Sequence, residues 1–381
     1  MNRREPLGLY VHVPFCSVKC FYCDFVAFSG KGGQADRYLD AVHEEAGMYR
    51  GQVPDTLYVG GGTPSELSAA QIRRLLGILA EHYGPLAELR EATFEASPES
   101  TDAEKLRVLA DGGITRLSVG LQAAQDRLLK SLGRRHSWED FVRLFGAARE
   151  HGLAVSIDLM CGLPGQSLAD ADESLERVLA LEPEHLSLYG LSVEDRTLFK
   201  KRAVAVDEDL CREMLAAAYE RLARAGYRHY EISNFARPGA ESIHNIHYWR
   251  DGSFIGIGCG AAGYIGGRRY QNEEVFARYL RRVEAGEKPV ASSERLTGKE
   301  KAGERLLLRL RLLDGCELDP GLRELFGAEF AGLEERGLVE TVRFGGCAQC
   351  PPTLRLTREG MFLANEVFRE FVPPFALQEA A

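Results

Sequence analysis

The sequence predicts an α/β protein: a partial (β/α)6 TIM-like barrel with a C-terminal α+β extension and a small winged-helix-like domain. Three observations carry this. Short β-type runs alternate with helical segments through the first half of the chain, the pattern of a parallel sheet with helical crossovers. Six such units occur, too few for a closed eight-stranded barrel. After about residue 226 the alternation stops, and the tail reads as helices around a hairpin.

The expected strands are Gly8–Phe15, Thr56–Gly60, Glu91–Ala96, Arg116–Gly120, Ala154–Leu159 and His185–Leu191. Each is rich in Val, Ile, Leu, Phe or Tyr and bounded by Gly or Pro. The expected helices are Asp36–Tyr49, Ser68–His82, Asp102–Asp111, Asp126–Leu132 with Trp138–His151, and Leu168–Leu181. Ser68, Thr101 and Ser137 stand where helix caps belong. A helix at Asp207–Ala225 closes this region. Arg228–Asn272 is Gly- and aromatic-rich with few helical signals, and Glu273–Arg311 looks helical again. In the tail, Leu338–Arg343 and Thr353–Leu356 flank a turn and precede a final helix. These shifts divide the chain into a barrel (1–226), a linking region (227–312) and a winged-helix-like domain (313–381).

Composition narrows the function. Of 381 residues, 45% are apolar and 27% charged, enough for a sizeable core and against disorder. The 47 basic and 56 acidic residues give a net charge of −9, which argues against a nucleic-acid partner. No targeting signal and no run of ~18 apolar residues is evident, so a reducing cytoplasm is the expected location. There, grouped cysteines more often mean metal or redox chemistry than disulfides.

Nine cysteines occur, and three of them fall within Cys16–Cys23 at CxxxCxxC spacing. A structural zinc needs four ligands. Three thiolates on a [4Fe–4S] cluster leave one iron open to another molecule. Gly60–Gly61–Gly62–Thr63–Pro64 follows the second strand without the GK[ST] of a phosphate loop; its glycines let backbone approach a ligand closely. Glu95, Gln122 and Asp158 fall at or near the carboxyl ends of the third, fourth and fifth strands, where barrel sites form. Arg134 lies in a loop twelve residues after Gln122. Singly, each is more often a loop cap than a ligand; on one rim they read as a site.

With Tyr22 before its last cysteine, the triplet resembles the signature of the radical S-adenosylmethionine (SAM) superfamily. Almost the whole chain is similar to the coproporphyrinogen dehydrogenase-like group, over Tyr10–Cys23, Gly60–Pro64, Gly120–His136, Ile157–Ser167, Glu231–Trp249, Gly256–Tyr264 and Leu356–Val367. The resemblance implies a radical SAM barrel in which Cys16, Cys20 and Cys23 hold a [4Fe–4S] cluster. It places SAM on the open iron, where a reduced cluster splits it to methionine and a 5′-deoxyadenosyl radical. Gly61, Gly62, Thr63 and Glu95 would meet the SAM amino group, Gln122 and Asp158 the ribose, and Arg134 the carboxylate. Tyr10 and Phe25 join the cofactor-side set by position, although Tyr10 alone reads as a half-buried strand tyrosine.

Three features point to the heme-chaperone branch of that group. Phe25 stands where the dehydrogenase has a further cysteine. Only 15 residues precede Cys16, where the dehydrogenase has a longer segment. His244–Asn245–Ile246–His247–Tyr248–Trp249 resembles the chaperone's HNxxYW motif, whose first histidine is implicated in heme binding. Alone, His244 reads as a core histidine. The resemblance makes it a heme-iron ligand, with His247 the alternative. The implied function is to bind heme and deliver it to apo-hemoproteins such as respiratory enzymes, with a low-potential electron donor if SAM is cleaved. It leaves room for a homodimer and for peripheral contact with the inner membrane. The competing reading is an enzyme: an oxygen-independent coproporphyrinogen III dehydrogenase or a radical SAM methyltransferase.

Other signals read as structural. Gly258–Gly263 matches GxGxxG without a βαβ context and is expected to be a close-packed turn. Cys347 and Cys350 form an isolated CxxC. Cys161, Cys211, Cys259 and Cys316 read as small buried apolar residues.

Overall fold

The computed structural model describes residues 5–343 and 351–373; Cys347 and Cys350 lie outside them. The chain forms two compact units. The first is Met1–Arg228, Ser233–His244 and Ser253–Glu294; the second is His229–Ile232, Asn245–Gly252 and Arg295–Ala381. The expected division at 226/227 and 312/313 is not coextensive with these units, because Ser253–Glu294 adds strands to the main sheet.

In the first unit, β1 (Leu7–Val13), β2 (Thr56–Gly61), β3 (Glu91–Ala96), β4 (Arg116–Gln122), β5 (Ala154–Cys161) and β6 (His185–Gly190) lie side by side in chain order. All are parallel. Next to β6 runs antiparallel β7 (Asn234–Ala236). On the other side of β1 come parallel β8 (Ser253–Ile257), then antiparallel β9 (Ala262–Ile265), β10 (Arg268–Asn272) and β11 (Val290–Glu294). The sheet is an open partial barrel, not closed by hydrogen bonds among the described residues.

Residue alternation explains its two faces. Leu9, Val11, Val13, Leu57, Val59, Phe94, Leu117, Val119, Val155, Ile157 and Leu186 are buried in the apolar core. Fully burying each such side chain stabilises by ~1.5–3 kcal/mol. The alternate positions carry Tyr10, His12, Tyr58, Glu91, Glu95, Arg116, Asp158, His185 and Ser187, so the opposite face is polar.

The packed helices are α1 (Ala35–Gly47), α2 (Ala69–Tyr83), α3 (Ala103–Asp111), α4 (Asp126–Ser131), α5 (Trp138–Glu150), α6 (Leu168–Leu179), α7 (Leu198–Lys201) and α8 (Glu208–Arg224). Capping boxes open α2 at Ser68 and Gln71, α5 at Ser137 and Asp140, and α6 at Ser167 and Asp170. The cap of α3 is Asp102, which accepts from the Lys105 amide, one residue after the expected Thr101. A short helix α9 (Ile243–Trp249) interrupts the region that showed few helical signals. Strand β11 follows α10 (Phe276–Glu284) in a stretch expected to be helical.

The second unit contains α11 (Gly298–Arg309), β12 (Cys316–Glu317), α12 (Pro320–Glu335), β13 (Val339–Val342), β14 (Thr353–Leu356), α13 (Arg358–Phe362) and α14 (Ala364–Arg369). Its sheet order is β12–β14–β13, antiparallel throughout, the winged-helix-like arrangement. Leu306, Leu310, Leu322, Phe326, Leu354, Val367 and Phe371 fill its core. The expected final helix is two short ones, broken at Leu363.

Candidate functional site

The cysteine loop leaves the carboxyl end of β1 and returns where Phe15–Cys16 pairs with Phe28–Ser29. Between these points it is fastened to neighbouring loops. The Phe21 amide donates to the Leu132 carbonyl at 3.0 Å, and the Phe21 carbonyl accepts from the Phe199 amide at 3.0 Å. Gly133 has φ +77°, and a Cβ there would lie 2.7 Å from the Phe21 ring. The Tyr22 hydroxyl accepts from Arg134 Nη2 at 3.3 Å. Cys16, Cys20 and Cys23 are all free of disulfides and half-buried. Cys16 Sγ lies 3.4 Å from Thr63 Oγ1. Burial pushes the Cys16 thiol up to about 11, opposed by the Thr63 hydrogen bond. Burial also raises Cys23, against a hydrogen bond from the Phe25 amide. The Phe25 ring is 70% exposed beside the triplet.

The Gly60–Pro64 segment turns across this loop. The Gly62 amide donates to Val13 O at 2.9 Å and the Thr63 amide to Phe15 O at 2.7 Å. Gly61 is required by its φ of +118°, and Gly62 by close backbone approach, since a Cβ there would meet Phe15 O at 2.7 Å. Glu95 Oε2 accepts from the Gly61 amide at 3.0 Å, and Oε1 accepts from the Tyr58 hydroxyl at 2.9 Å. Burial raises Glu95 to about 7, against those two hydrogen bonds and aided by the charge of Asp158. Burial likewise raises Asp158 to about 6, against a Ser187 hydrogen bond and the charges of Arg116 and Arg134.

Gln122 ends β4 at a register shift with φ +73°. A non-glycine residue held there stores strain of order 1–3 kcal/mol, of the kind found at ligand sites. A Cβ on Gly120 would lie 2.7 Å from Gln122 Nε2 and 2.8 Å from Arg134 Nη2, so that glycine keeps space for both side chains. Arg134 Nε is buried with no hydrogen-bond partner among the described residues. Behind it, His136 Nδ1 contacts Glu99 Oε2 at 3.0 Å. Burial would raise Glu99, but hydrogen bonds from His136 and Ser97 and the charges of His136 and Arg134 hold it down to about 2.

Thus Cys16, Cys20, Cys23, Gly61, Gly62, Thr63, Glu95, Gln122, Arg134 and Asp158 gather at the carboxyl ends of the strands. Tyr10 lies just inside, half-buried, its hydroxyl 2.9 Å from His12 Nδ1 and its ring 6.3 Å from that of Tyr58. His244 is elsewhere. Its ring is fully buried, with Nδ1 2.8 Å from Thr56 Oγ1, and its amide donates to Glu91 Oε1 at 3.0 Å. Glu91 also accepts from the Ile243 amide at 2.8 Å and Ser242 Oγ at 3.2 Å, an anionic cap on α9. Thr56 and Glu91 begin their strands, whereas Gly61 ends one. Five residues of strand separate the two layers by about 16 Å.

The residues at the carboxyl ends fit a [4Fe–4S] cluster and SAM. Three thiols share one loop, a buried guanidinium nitrogen lacks a partner, and two buried carboxyls stand ready for a cationic and polar ligand. Tyr58, Glu99, His136 and Ser187 join this site without standing out in the sequence. Tyr58 pairs in register with Tyr10, and its place two residues before Gly60 on the same face was the available signal.

The Gly258 turn is close-packed, as expected. Gly258 has φ +105°, and a Cβ there would meet His12 O and the Tyr38 hydroxyl, each at 2.5 Å. No helix of the described residues is long and apolar enough to cross a membrane.

Residues 10–178 match the Radical SAM superfamily. The chain is 35% identical to the heme chaperone HemW of Bacillus subtilis over 95% of this chain and 98% of the relative. It is 34% identical to the heme chaperone HemW of Escherichia coli over 98% and 100%. Among solved structures, coproporphyrinogen III oxidase (HemN) from Escherichia coli, a radical SAM enzyme, superposes with a TM-score of 0.82 at 26% identity, covering 97% of this chain and 90% of that one. Full-length likeness in both directions, with the cysteine loop, glycine turn and polar rim all in place, means that the chain belongs to the HemW heme-chaperone family of the radical SAM superfamily.

Proposed function

We propose that the protein binds heme and hands it to apo-hemoproteins such as respiratory enzymes, carrying a [4Fe–4S] cluster and SAM as part of that task. The observation that carries the reading is the two-sided coverage by heme chaperones, 98% of the Bacillus subtilis relative included. Phe25, exposed where the porphyrinogen enzyme has a further cysteine, supports it.

In this reading Cys16, Cys20 and Cys23 hold the cluster. Bound and reduced, it supplies an electron for cleavage of SAM, and a low-potential donor is then required. Glu95, once ionised, accepts from the SAM ammonium beside Gly61, Gly62 and Thr63. Arg134, clasped by Tyr22 and backed by Glu99, pairs with the SAM carboxylate. Gln122 and Asp158 hold the ribose hydroxyls, while Tyr10 and Phe25 flank the ligand. His244 is the proposed heme ligand. Because its ring is buried, heme reaches it only when the ring's bond to Thr56 is exchanged, so ligation is coupled to opening of that layer. His247 is the alternative ligand. Location in the cytoplasm, peripheral contact with the inner membrane and a homodimer belong to the same proposal.

The test is anaerobic cluster reconstitution followed by heme titration with and without SAM, read by absorption spectrum and mass. Saturable heme binding that weakens in His244→Ala is expected. No binding by the intact protein would sink the reading; unchanged affinity and transfer in His244→Ala would move the ligand elsewhere. The polar rim and the TM-score of 0.82 to coproporphyrinogen III oxidase favour a second reading as a porphyrinogen enzyme. Incubation with SAM, reductant and coproporphyrinogen III is expected to give no protoporphyrinogen IX, and its formation would replace the first reading with the second.

A further inference from the structure

We propose that His43, Glu81 and His82 form a binding site for a divalent transition-metal ion of the zinc class, joining α1 to α2 away from the cysteine loop. One ligating atom from each lies within 4.8 Å of the others. The two imidazole centroids are 4.8 Å apart at an interplanar angle of 59°, so the rings converge without stacking face to face. His43 Nδ1 is 4.0 Å from Glu81 Oε2. Two imidazoles and one carboxylate are the protein donor set of many zinc sites, with water at the open position.

A second observation points to a ligand. His82 Nε2 is buried and has no hydrogen-bond partner among the described residues. A Lewis acid would give that nitrogen the partner it lacks. The surroundings suit a cation. His82 stands in the last turn of α2 and His43 one turn from the end of α1, where the helix dipoles place partial negative charge. Glu44 and Arg50 also reach His82 electrostatically, with opposite signs.

Tetrahedral zinc with ligands at ~2.0–2.2 Å spaces them by about 3.4 Å. The Glu81 side chain, 63% exposed, has room to turn toward the two rings. Helices α1 and α2 end where the chain turns toward the starts of β2 and β3, so the site lies on the side of the sheet opposite the cysteine triplet. An ion there links the first two βα units.

The experiment uses tag-free, full-length protein with the cluster already loaded, so that the cysteines are occupied. Zinc is titrated calorimetrically, and cobalt is titrated in parallel for its absorption spectrum. The expected result is one zinc per chain and a cobalt spectrum of nitrogen and oxygen ligation without thiolate charge transfer. His43→Ala/His82→Ala should lose binding by more than the roughly 10–100-fold that altering an outer-shell partner costs. Glu81→Gln, which alters a direct ligand, should weaken it by at least the roughly 10–100-fold of an outer-shell change. Zinc should raise the Tm of the parent and not of the double variant. Circular dichroism checks that variant's fold, and His82→Gln serves in its place if it does not fold. Equal binding by parent and folded variants, no binding by the parent, or a cobalt spectrum of thiolate ligation alone would each overturn the proposal.

Discussion

Glu95 is a carboxyl whose own pocket delays its ionisation. Burial holds it near 7 while the Tyr58 hydroxyl and Gly61 amide pull it down. A cationic amine can be received fully only by the carboxylate, so binding must release a proton wherever Glu95 starts protonated. SAM affinity should therefore rise by about tenfold per pH unit below about 7 and level off above it. Glu95→Gln should flatten that slope and bind more weakly at about pH 8. Calorimetry on cluster-loaded protein across that range checks both, and a slope retained by the variant would assign the proton elsewhere. Much of this layer was legible in the chain, since Glu95, Gln122 and Asp158 declare themselves by standing at strand ends. The partners that tune them were not. Glu99 and His136 are 37 residues apart, and the Tyr22–Arg134 bond spans 112; no local pattern announces either pairing.

Elements translate those contacts into loop placement. Gly133 seats the cysteine loop because its left-handed backbone and missing side chain leave room for the Phe21 ring. Gly133→Ala should cost about 1–2 kcal/mol from the left-handed conformation alone, and its Cβ should push Phe21 off the Leu132 loop. Iron retained per chain after reconstitution and mild oxidation should fall, and replacing Phe21 by a smaller apolar residue in the same chain should recover part of it. Iron retention equal to the parent's would show that the loop seats itself by other contacts. The six parallel strands and the helices between them were readable to within a residue or two, because apolar period and Ser-led caps are local signals. Helix α9 was not. It has seven residues, and its cap is Glu91, 152 residues from the Ile243 amide it binds.

At the scale of the first unit, buried carboxyls set the pH response. Glu45 on α1 is fully buried and accepts from the Gly258 amide at 2.8 Å, the Tyr279 hydroxyl at 2.7 Å and Asn272 Nδ2 at 2.7 Å. It ties α1 to the glycine turn after β8, to β10 and to α10. Burial raises it to about 7, against those same hydrogen bonds. Glu45, Glu95 and Asp158 all titrate higher folded than unfolded. The folded state thus holds more protons between about pH 4 and 7, and the stability these groups contribute is lost as pH rises through 6 to 7. Burial holds His12, His185 and His229 below the usual imidazole range, which acts in the opposite sense over the same interval, so the carboxyl share is read by comparing cluster-free parent and variant in urea at about pH 5.5 and about pH 8. Glu45→Gln, which mimics the protonated acid, should lose less stability, or gain more, than the parent between those two pH values; an identical change in parent and variant would contradict the assignment. The strand order was readable from the sequence. The return of Ser253–Glu294 to the β1 edge was not, since pairing between residues more than two hundred apart leaves no periodic trace.

Tyr58 joins two layers that otherwise stand about 16 Å apart along the strands. Its hydroxyl bonds Glu95, and its ring lies 5.5 Å from that of His244. One side chain thus touches both the proposed SAM receiver and the proposed heme ligand. If SAM shifts heme affinity through it, heme must shift SAM affinity by the same factor, because linkage is reciprocal. Tyr58→Phe keeps the ring and drops the bond. Measured as a four-cornered binding cycle, the factor should then fall toward one while each ligand still binds alone. A single tyrosine would then let an empty cargo site and a filled cofactor site read each other's state.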